Sequence, residues 1–165
     1  MANILRALIK TDILVDFCPG GSFAVPKGDE TVAVANRLNK NGDYALEVLL
    51  QDWHPENHIA FYDLYPGKKP FEFIEIDRGP LKGRKQQLWP RHCVRNTPGA
   101  WFHPDLDITG NLLIHKGTNP DIDSLSGFYD DHHIQNTGLT QILRRLGITH
   151  VDVIGLATEF CVGLT

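Results

Sequence analysis

The sequence predicts an α/β fold with a mainly parallel sheet and helices on both faces. Apolar segments typical of buried strands alternate along the chain with segments that have a helical pattern. Polar residues capable of chemistry follow these strands directly, and ligands bind at the carboxyl ends of the strands in open sheets of this kind. We therefore expect a functional site at that edge of the sheet.

The composition indicates one soluble domain over residues 1–165, with 42% hydrophobic and 22% charged residues. A net charge of -4 argues against nucleic acid or an acidic membrane as the main partner. No apolar run approaches the length of a membrane span. Cys18, Cys93 and Cys161 are too widely spaced to indicate a disulfide framework. These features favour a reducing, cytoplasmic location.

The first strand is predicted over residues 4–13, although a charged residue such as Lys10 is unusual in a largely apolar segment. The sequence Pro-Gly-Gly at 19–21 marks a sharp loop, so Asp12 and Phe17 flank the exit of this strand. The carboxylate of Asp12 is a candidate for chemistry at the strand end. A role in a turn or cap is the alternative.

A helix is predicted over 29–41, with an apolar face formed by Val32, Val34, Ala35 and Leu38. A second strand is predicted over 44–50 and runs into Asp52 and His54. Side chains alternate along an extended chain, so these two side chains point to the same side. His58 follows after a turn that begins with proline. One carboxylate and two imidazoles so close together suit a zinc-like ion, which takes nitrogen and oxygen ligands.

Residues 62–87 are rich in proline, glycine and charge without periodicity, which predicts a long excursion or lid. The basic residues between 82 and 85 are interpreted as a solvated loop. After the excursion, His92 could complete a metal-binding set and Trp89 could supply a flat wall. A loop histidine and an anchoring aromatic residue are the alternatives.

A short strand over 112–115 ends at Lys116. Its charge is a candidate for a direct electrostatic role at a functional site, and a solvated residue at the strand end is the alternative. Residues 123–128 are predicted to form a loop. An amphipathic helix closed by Gly147 is predicted over 137–147, with an apolar face formed by Leu139, Ile142, Leu143 and Leu146.

The last strand is predicted over 150–156, and Cys161 follows it closely. Thr158 can serve as the N-cap of a helix, which would place Cys161 in the first turn. Unpaired amides at a helix start favour a thiolate and stabilise an oxyanion. The alternative is that Cys161 is a small, buried apolar residue.

Four blocks of sequence carry a resemblance to a known family. They are D-F-C-P-G-G at 16–21, D-W-H-P-E-N-H at 52–58, L-W-P-R-H-C-V at 88–94 and G-L-A-T-E-F-C-V at 155–162. With them the chain resembles the nicotinamidases (pyrazinamidases), which belong to the isochorismatase-like cysteine hydrolases. The resemblance implies a Rossmann-like three-layer fold and hydrolysis of nicotinamide to nicotinate and ammonia in NAD salvage. Pyrazinamide would be a second substrate.

The resemblance also implies roles for individual residues. Cys161 would be the nucleophile, Asp12 the general base and Lys116 the third catalytic residue. A divalent metal, zinc first and iron or manganese as alternatives, would be bound by Asp52, His54, His92 and, less firmly, His58.

The remaining implied roles concern the substrate. Phe17 and Trp89 would sandwich its pyridine ring. The amides of Ala157 and Cys161 would form an oxyanion hole, with a cis bond between Leu156 and Ala157. Leu125 stands where the family often has a tyrosine and would form part of a pocket wall.

Two other functions remain open at this point. The first is a different amidase or hydrolase of the same superfamily. The second is a non-catalytic paralogue that binds a metal and a small aromatic ligand. Family members continue beyond the nucleophile, whereas this sequence ends at Thr165, so we expect the C-terminal part of the family fold to be missing. A homo-oligomer is compatible with the sequence.

Overall fold

The computed structural model describes residues 4–109 and 112–165, and it is organised around a sheet of four parallel strands. The elements are β1 (Arg6–Thr11), α1 (Glu30–Asn41), β2 (Leu46–Asp52), β3 (Phe73–Glu75), β4 (Lys85–Gln87), β5 (Leu112–Lys116), α2 (Leu139–Arg145) and β6 (His150–Gly155). Along the main sheet the strand order is β5-β2-β1-β6, and a separate antiparallel pair joins β3 to β4.

Alternating side chains of the central strands cover the two faces of the sheet with apolar surface. On one face, Ile9 and Leu50 pack with Leu139 of α2. On the other face, Leu49 packs with Val32 and Ala35 of α1. The predicted α/β fold with helices on both faces is therefore confirmed. Within the described ranges, neither these helices nor any other is long and apolar enough to cross a bilayer.

The apolar faces predicted for the two helices are partly wrong. Val34 is 36% exposed and Leu146 is 49% exposed. Val34 lies about 200° around the helix from Val32, because successive residues are separated by about 100°. Leu146 follows the last residue of α2, which is shorter than predicted. The buried face of each helix is therefore narrower than the apolar face that the sequence predicted.

The excursion at 62–87 contains more regular structure than the sequence predicted. It includes the hairpin of β3 and β4 and a short helical turn at Tyr62–Leu64. Strands of three residues are too short to show a periodic pattern, which explains why the sequence did not reveal them. Ile76 and Leu81 attach the excursion to the body of the protein by packing with Ile122. Lys82, Arg84 and Lys85 are exposed, as expected.

Lys10 is accommodated in β1 by a buried polar network. Its ammonium group lies 2.9 Å from Asn39 Oδ1, 2.9 Å from Glu47 Oε2 and 2.9 Å from the carbonyl oxygen of Asp107. An ammonium group has three donors, so these acceptors satisfy it fully although the side chain is only 1% exposed. Lys10 therefore links α1, β2 and the loop before β5.

We expect Lys10→Met to lower the free energy of unfolding by about 2 kcal/mol, because hydrogen bonds to charged groups contribute roughly that much. The substitution keeps the volume but leaves the acceptors of Lys10 unpaired. Urea denaturation followed by circular dichroism measures the change. In the double variant Lys10→Met/Glu47→Leu, at least half of the loss should return, since no unpaired carboxylate remains. An unchanged midpoint in the single variant would contradict the role of this network.

Candidate active site

The carboxyl ends of all four central strands meet at one place. Asp12 follows β1, Asp52 ends β2, Lys116 ends β5 and Cys161 lies shortly after β6. These are the strand ends at which the sequence predicted a site. Of the residues that the sequence nominated for chemistry, the structure brings these four together in the buried interior.

A close approach of two strand ends places Cys161 over this edge. Gly155 has a φ of 146°, and a Cβ atom there would lie 1.8 Å from the carbonyl oxygen of Thr11. Only glycine fits this contact. The next amide, that of Leu156, donates to the same oxygen at 3.0 Å. The chain then enters a helical turn at Thr158–Val162, which carries Cys161.

Lys116 is the centre of the buried cluster. Its Nζ lies 2.9 Å from Asp12 Oδ2, 2.5 Å from Asp52 Oδ1 and 3.4 Å from Cys161 Sγ. The carbonyl oxygen of Ser124 accepts a further hydrogen bond from it at 3.2 Å. The amide of Asp52 donates to Asp12 Oδ1 at 3.0 Å. This arrangement holds two carboxylates and a thiol on the same ammonium group.

Electrostatics separate the protonation of these groups. Burial raises the pKa of Asp12 to about 7, with Asp52 adding to the shift and Lys116 opposing it. Burial alone would lower the pKa of Lys116, but Asp12 and Asp52 raise it well above its usual range. Lys116 therefore remains charged, while Asp12 can exchange a proton near neutral pH.

The local environment of Cys161 differs from the sequence-based expectation. Thr158 is the first residue of the turn rather than its cap; Ala157 occupies the cap position, and no side chain caps the turn. Burial raises the pKa of the Cys161 thiol well above its usual range; Lys116 opposes this shift, and Asp12 and Asp52 add to it. Burial among carboxylates therefore opposes the thiolate that the donors of one short turn would favour, and a sulfur that rests as a thiol would lose its proton during a reaction.

Three residues form a candidate metal site beside this cluster. Potential ligand atoms of Asp52, His54 and His92 lie within 4.8 Å of one another. The Nε2 atom of His54 is 3.7 Å from Asp52 Oδ1, and that of His92 is 3.9 Å from Asp52 Oδ2. Burial lowers the pKa of both histidines although Asp52 opposes the shift, which favours neutral imidazoles with a free lone pair.

Backbone carbonyl groups orient both imidazoles. His54 Nδ1 lies 2.9 Å from the carbonyl oxygen of Gly117, and His92 Nδ1 lies 2.7 Å from that of Pro90. With Nδ1 as the donor, each Nε2 is left to face Asp52. Gly117 has a φ of 63°, and a Cβ there would lie 2.3 Å from the His54 ring. One carboxylate and two oriented imidazoles fit a zinc-like ion.

His58 lies beside His54 but is not a member of this trio. Its ring is 4.2 Å from the His54 ring, and its potential ligand atoms group with those of His54 and Asp123. Burial lowers the pKa of His58 to about 3. The sequence did not nominate Asp123, which is 3% exposed. An acidic residue at the start of the loop 123–128 was the only available signal.

A cavity of about 470 Å³ opens onto both clusters. Of the residues predicted to contact substrate, Phe17, Trp89, Leu125 and Ala157 all line it, together with Cys161. The bond between Leu156 and Ala157 is cis, as the resemblance implied.

Two further aromatic residues of this cavity were missed by the sequence analysis. Phe23 is adjacent to both predicted aromatic walls, with its ring centroid 5.9 Å from that of Phe17 and 6.0 Å from that of Trp89. Phe160 meets Trp89 edge-on at 5.6 Å. A cavity with apolar walls and a few polar groups at its base is suited to a small aromatic ligand.

Comparisons with known proteins agree with this geometry. The isochorismatase domain family matches residues 6–165. The chain is 42% identical over 160 residues to a nicotinamidase of Acinetobacter baylyi, covering 96% of this chain and 72% of the relative. It is 43% identical over 165 residues to a nicotinamidase of Escherichia coli, covering 97% of this chain and 74% of the relative.

Solved structures show the same relationship. A nicotinamidase/pyrazinamidase of Acinetobacter baumanii superposes with a TM-score of 0.87 at 45% identity, covering 98% of this chain and 75% of that one. A pyrazinamidase of Pyrococcus horikoshii in complex with zinc superposes with a TM-score of 0.68 at 37% identity, covering 95% and 73%. This chain therefore belongs to the isochorismatase family and, within it, to the nicotinamidases.

Proposed function

We propose that this protein hydrolyses nicotinamide to nicotinate and ammonia and accepts pyrazinamide as a second substrate. The observation that carries the proposal is the contact of Lys116 with both Asp12 and Cys161 at the base of an aromatic cavity. Amide hydrolysis needs a nucleophile stronger than water and a group that passes a proton to the leaving amine. Cys161 and Asp12 supply these two functions.

The reaction begins when Cys161 Sγ attacks the carboxamide carbon and its proton passes to Asp12. The pKa of Asp12, about 7, suits a group that accepts a proton and returns it. Asp12 then protonates the leaving nitrogen, the carbon–nitrogen bond breaks and ammonia leaves a thioester on the sulfur. Asp12 next takes a proton from water as the water oxygen attacks the thioester carbon. The carbon–sulfur bond then breaks, Asp12 returns the proton to the sulfur, and the acid leaves and ionises to nicotinate.

The other groups stabilise charge and position the substrate. The ammonium group of Lys116 stabilises the sulfur as it loses its proton, from 3.4 Å away. The amides of Ala157 and Cys161 are proposed to stabilise the oxyanion that forms on the attacked carbonyl. Phe17 and Trp89 would hold the two faces of the pyridine ring. Nicotinate released in this way would be available for NAD salvage.

Asp52, His54 and His92 are proposed to bind a divalent metal, with zinc favoured because the related pyrazinamidase of Pyrococcus horikoshii is described in complex with it. When bound, the ion supplies a Lewis-acidic anchor for the ring nitrogen, which positions the carboxamide. Iron and manganese accept the same donor atoms. These three residues line the same cavity as Cys161, so a ring anchored there would lie close to the sulfur.

Ammonia release from nicotinamide, with and without a chelator, tests this proposal. The protein as purified should release ammonia, and prolonged chelation should lower kcat/KM by roughly 100-fold, restored by added zinc, iron or manganese. Benzamide lacks the ring nitrogen and serves as the control substrate, which should react poorly in both conditions. Absence of ammonia from the metal-loaded protein would refute the amidase. Full activity after verified metal removal would refute the role of the metal.

A further inference from the structure

Asp123 is a buried carboxylate that none of the proposed catalytic steps uses. Its Oδ2 accepts hydrogen bonds from the indole nitrogen of Trp89 at 2.9 Å and from Gln86 Nε2 at 3.0 Å. Its Oδ1 accepts from the amide of Ser124 at 2.9 Å. A buried charge is costly unless it is hydrogen-bonded, and these three donors provide that compensation.

The donors come from three parts of the site. Trp89 is a wall of the cavity, Gln86 belongs to β4 of the excursion, and the carbonyl of Ser124 accepts from the ammonium of Lys116 at 3.2 Å. Asp123 itself also lines the cavity. It therefore joins the aromatic wall to the loop that contacts the catalytic lysine.

Ring contacts define the orientation of Trp89 less sharply than a hydrogen bond does. The indole contacts the ring of Phe23 in a tilted geometry, with ring centroids 6.0 Å apart, and those of Phe71 and Phe160 edge-on, at 6.1 and 5.6 Å. Phe71 and Phe160 are substantially exposed, at 55% and 42%. Exposed ring contacts are a weak constraint compared with a hydrogen bond to a carboxylate, which has a defined direction.

We propose that Asp123 is a positioning residue, which fixes the plane of the Trp89 ring through the indole hydrogen bond and thereby sets the affinity for the aromatic substrate. This proposal rests on the proposed nicotinamidase function. Asp123 makes no contact with Asp12 or Cys161 among the hydrogen bonds of the described ranges, so its loss should act on binding rather than on the chemical step.

The kinetic test compares Asp123→Asn, Trp89→Phe and the double variant. Asp123→Asn should raise KM for nicotinamide by about tenfold, the effect of one hydrogen bond to a charged group, and change kcat by less than threefold. Trp89→Phe keeps an aromatic ring but lacks the indole donor. In that background the Asp123→Asn substitution should change KM by less than threefold, since the bond is already absent. Additive effects, or a fall in kcat at constant KM, would overturn the proposal.

Asp130→Asn is the matched control, because Asp130 is also a buried aspartate and lies two residues beyond the loop 123–128. Its carboxylate accepts only from backbone amides, those of His132, Ile134 and Gln135, in the hydrogen bonds of the described chain. Its KM should stay within threefold of the parent value. Metal content should be unchanged in Asp123→Asn; a lost ion would show that Asp123 is a ligand and would overturn the positioning role.

A spectroscopic measurement separates failure of this inference from failure of the proposed function. In a ¹H–¹⁵N spectrum, the indole resonance that disappears in Trp89→Phe belongs to Trp89. A bond to a carboxylate should shift this proton downfield, and Asp123→Asn should move it upfield while the other indole signals stay in place. This result does not depend on catalysis. An unmoved resonance would overturn the inference even in an active enzyme, whereas a moved resonance in an inactive protein would count against the amidase alone.

Discussion

Cys161→Ala is expected to lower kcat for ammonia release from nicotinamide by about 10⁴-fold or more, as loss of a catalytic nucleophile does in other hydrolases. The sulfur is the atom at the base of the cavity that can attack the carboxamide, and alanine offers no substitute. Metal content should be unchanged, because Cys161 lies outside the Asp52, His54 and His92 trio. Initial rates by an ammonia assay, together with metal analysis of the same preparation, measure both quantities.

Cys18→Ala is the matched control for this experiment. Cys18 is buried to a similar degree, at 3% exposure against 5% for Cys161, but it does not line the cavity. Its kcat should remain within about threefold of the parent value, since truncating a buried residue away from the reacting groups acts mainly on stability. Mass spectrometry of the acid-quenched parent enzyme should show a thioester adduct on the peptide with Cys161. Retained turnover in Cys161→Ala would refute the nucleophile assignment.

His54→Ala should reduce bound metal to about a tenth of the parent stoichiometry and raise KM for nicotinamide by roughly 100-fold. His54 supplies one of only two imidazoles in the trio, and the carbonyl of Gly117 that orients it would lose its donor. Metal analysis after gel filtration and steady-state kinetics provide the two measurements. Unchanged stoichiometry would refute the proposed ligand set.

His58→Gln tests the fourth ligand suggested by the family resemblance. His58 is fully buried beside His54, yet its ligand atoms group with His54 and Asp123 rather than with Asp52 and His92. From this position we expect metal content to stay near the parent value, with a modest loss of stability from disturbed packing. A loss of metal equal to that of His54→Ala would establish His58 as a ligand and would contradict the expectation drawn from its position.

Residue patterns predicted the central strands and both α-helices well, because each has enough residues to show a period. The hairpin of β3 and β4 was missed, since its strands have three residues each and gain their stability from distant contacts such as Ile76 with Ile122. The surroundings of Lys10 could not be predicted from local patterns either. Its acceptors on Asn39, Glu47 and Asp107 are remote in sequence, so only the fold shows why a lysine is tolerated in a buried strand.

The sequence by itself determined the fold class, the family and the residues to which we assign catalytic and metal-binding roles. It did so because strand ends carry recognisable motifs, such as D-W-H at 52–54 and the block that contains Cys161. Only the tertiary structure decided the electrostatic environment of the thiol and the surroundings of Trp89. Burial of Cys161 among Asp12, Asp52 and Lys116, and the bond from Trp89 to Asp123, arise from chain segments far apart in sequence. Desolvation and long-range hydrogen bonds depend on that assembly, and no local pattern of residues encodes them.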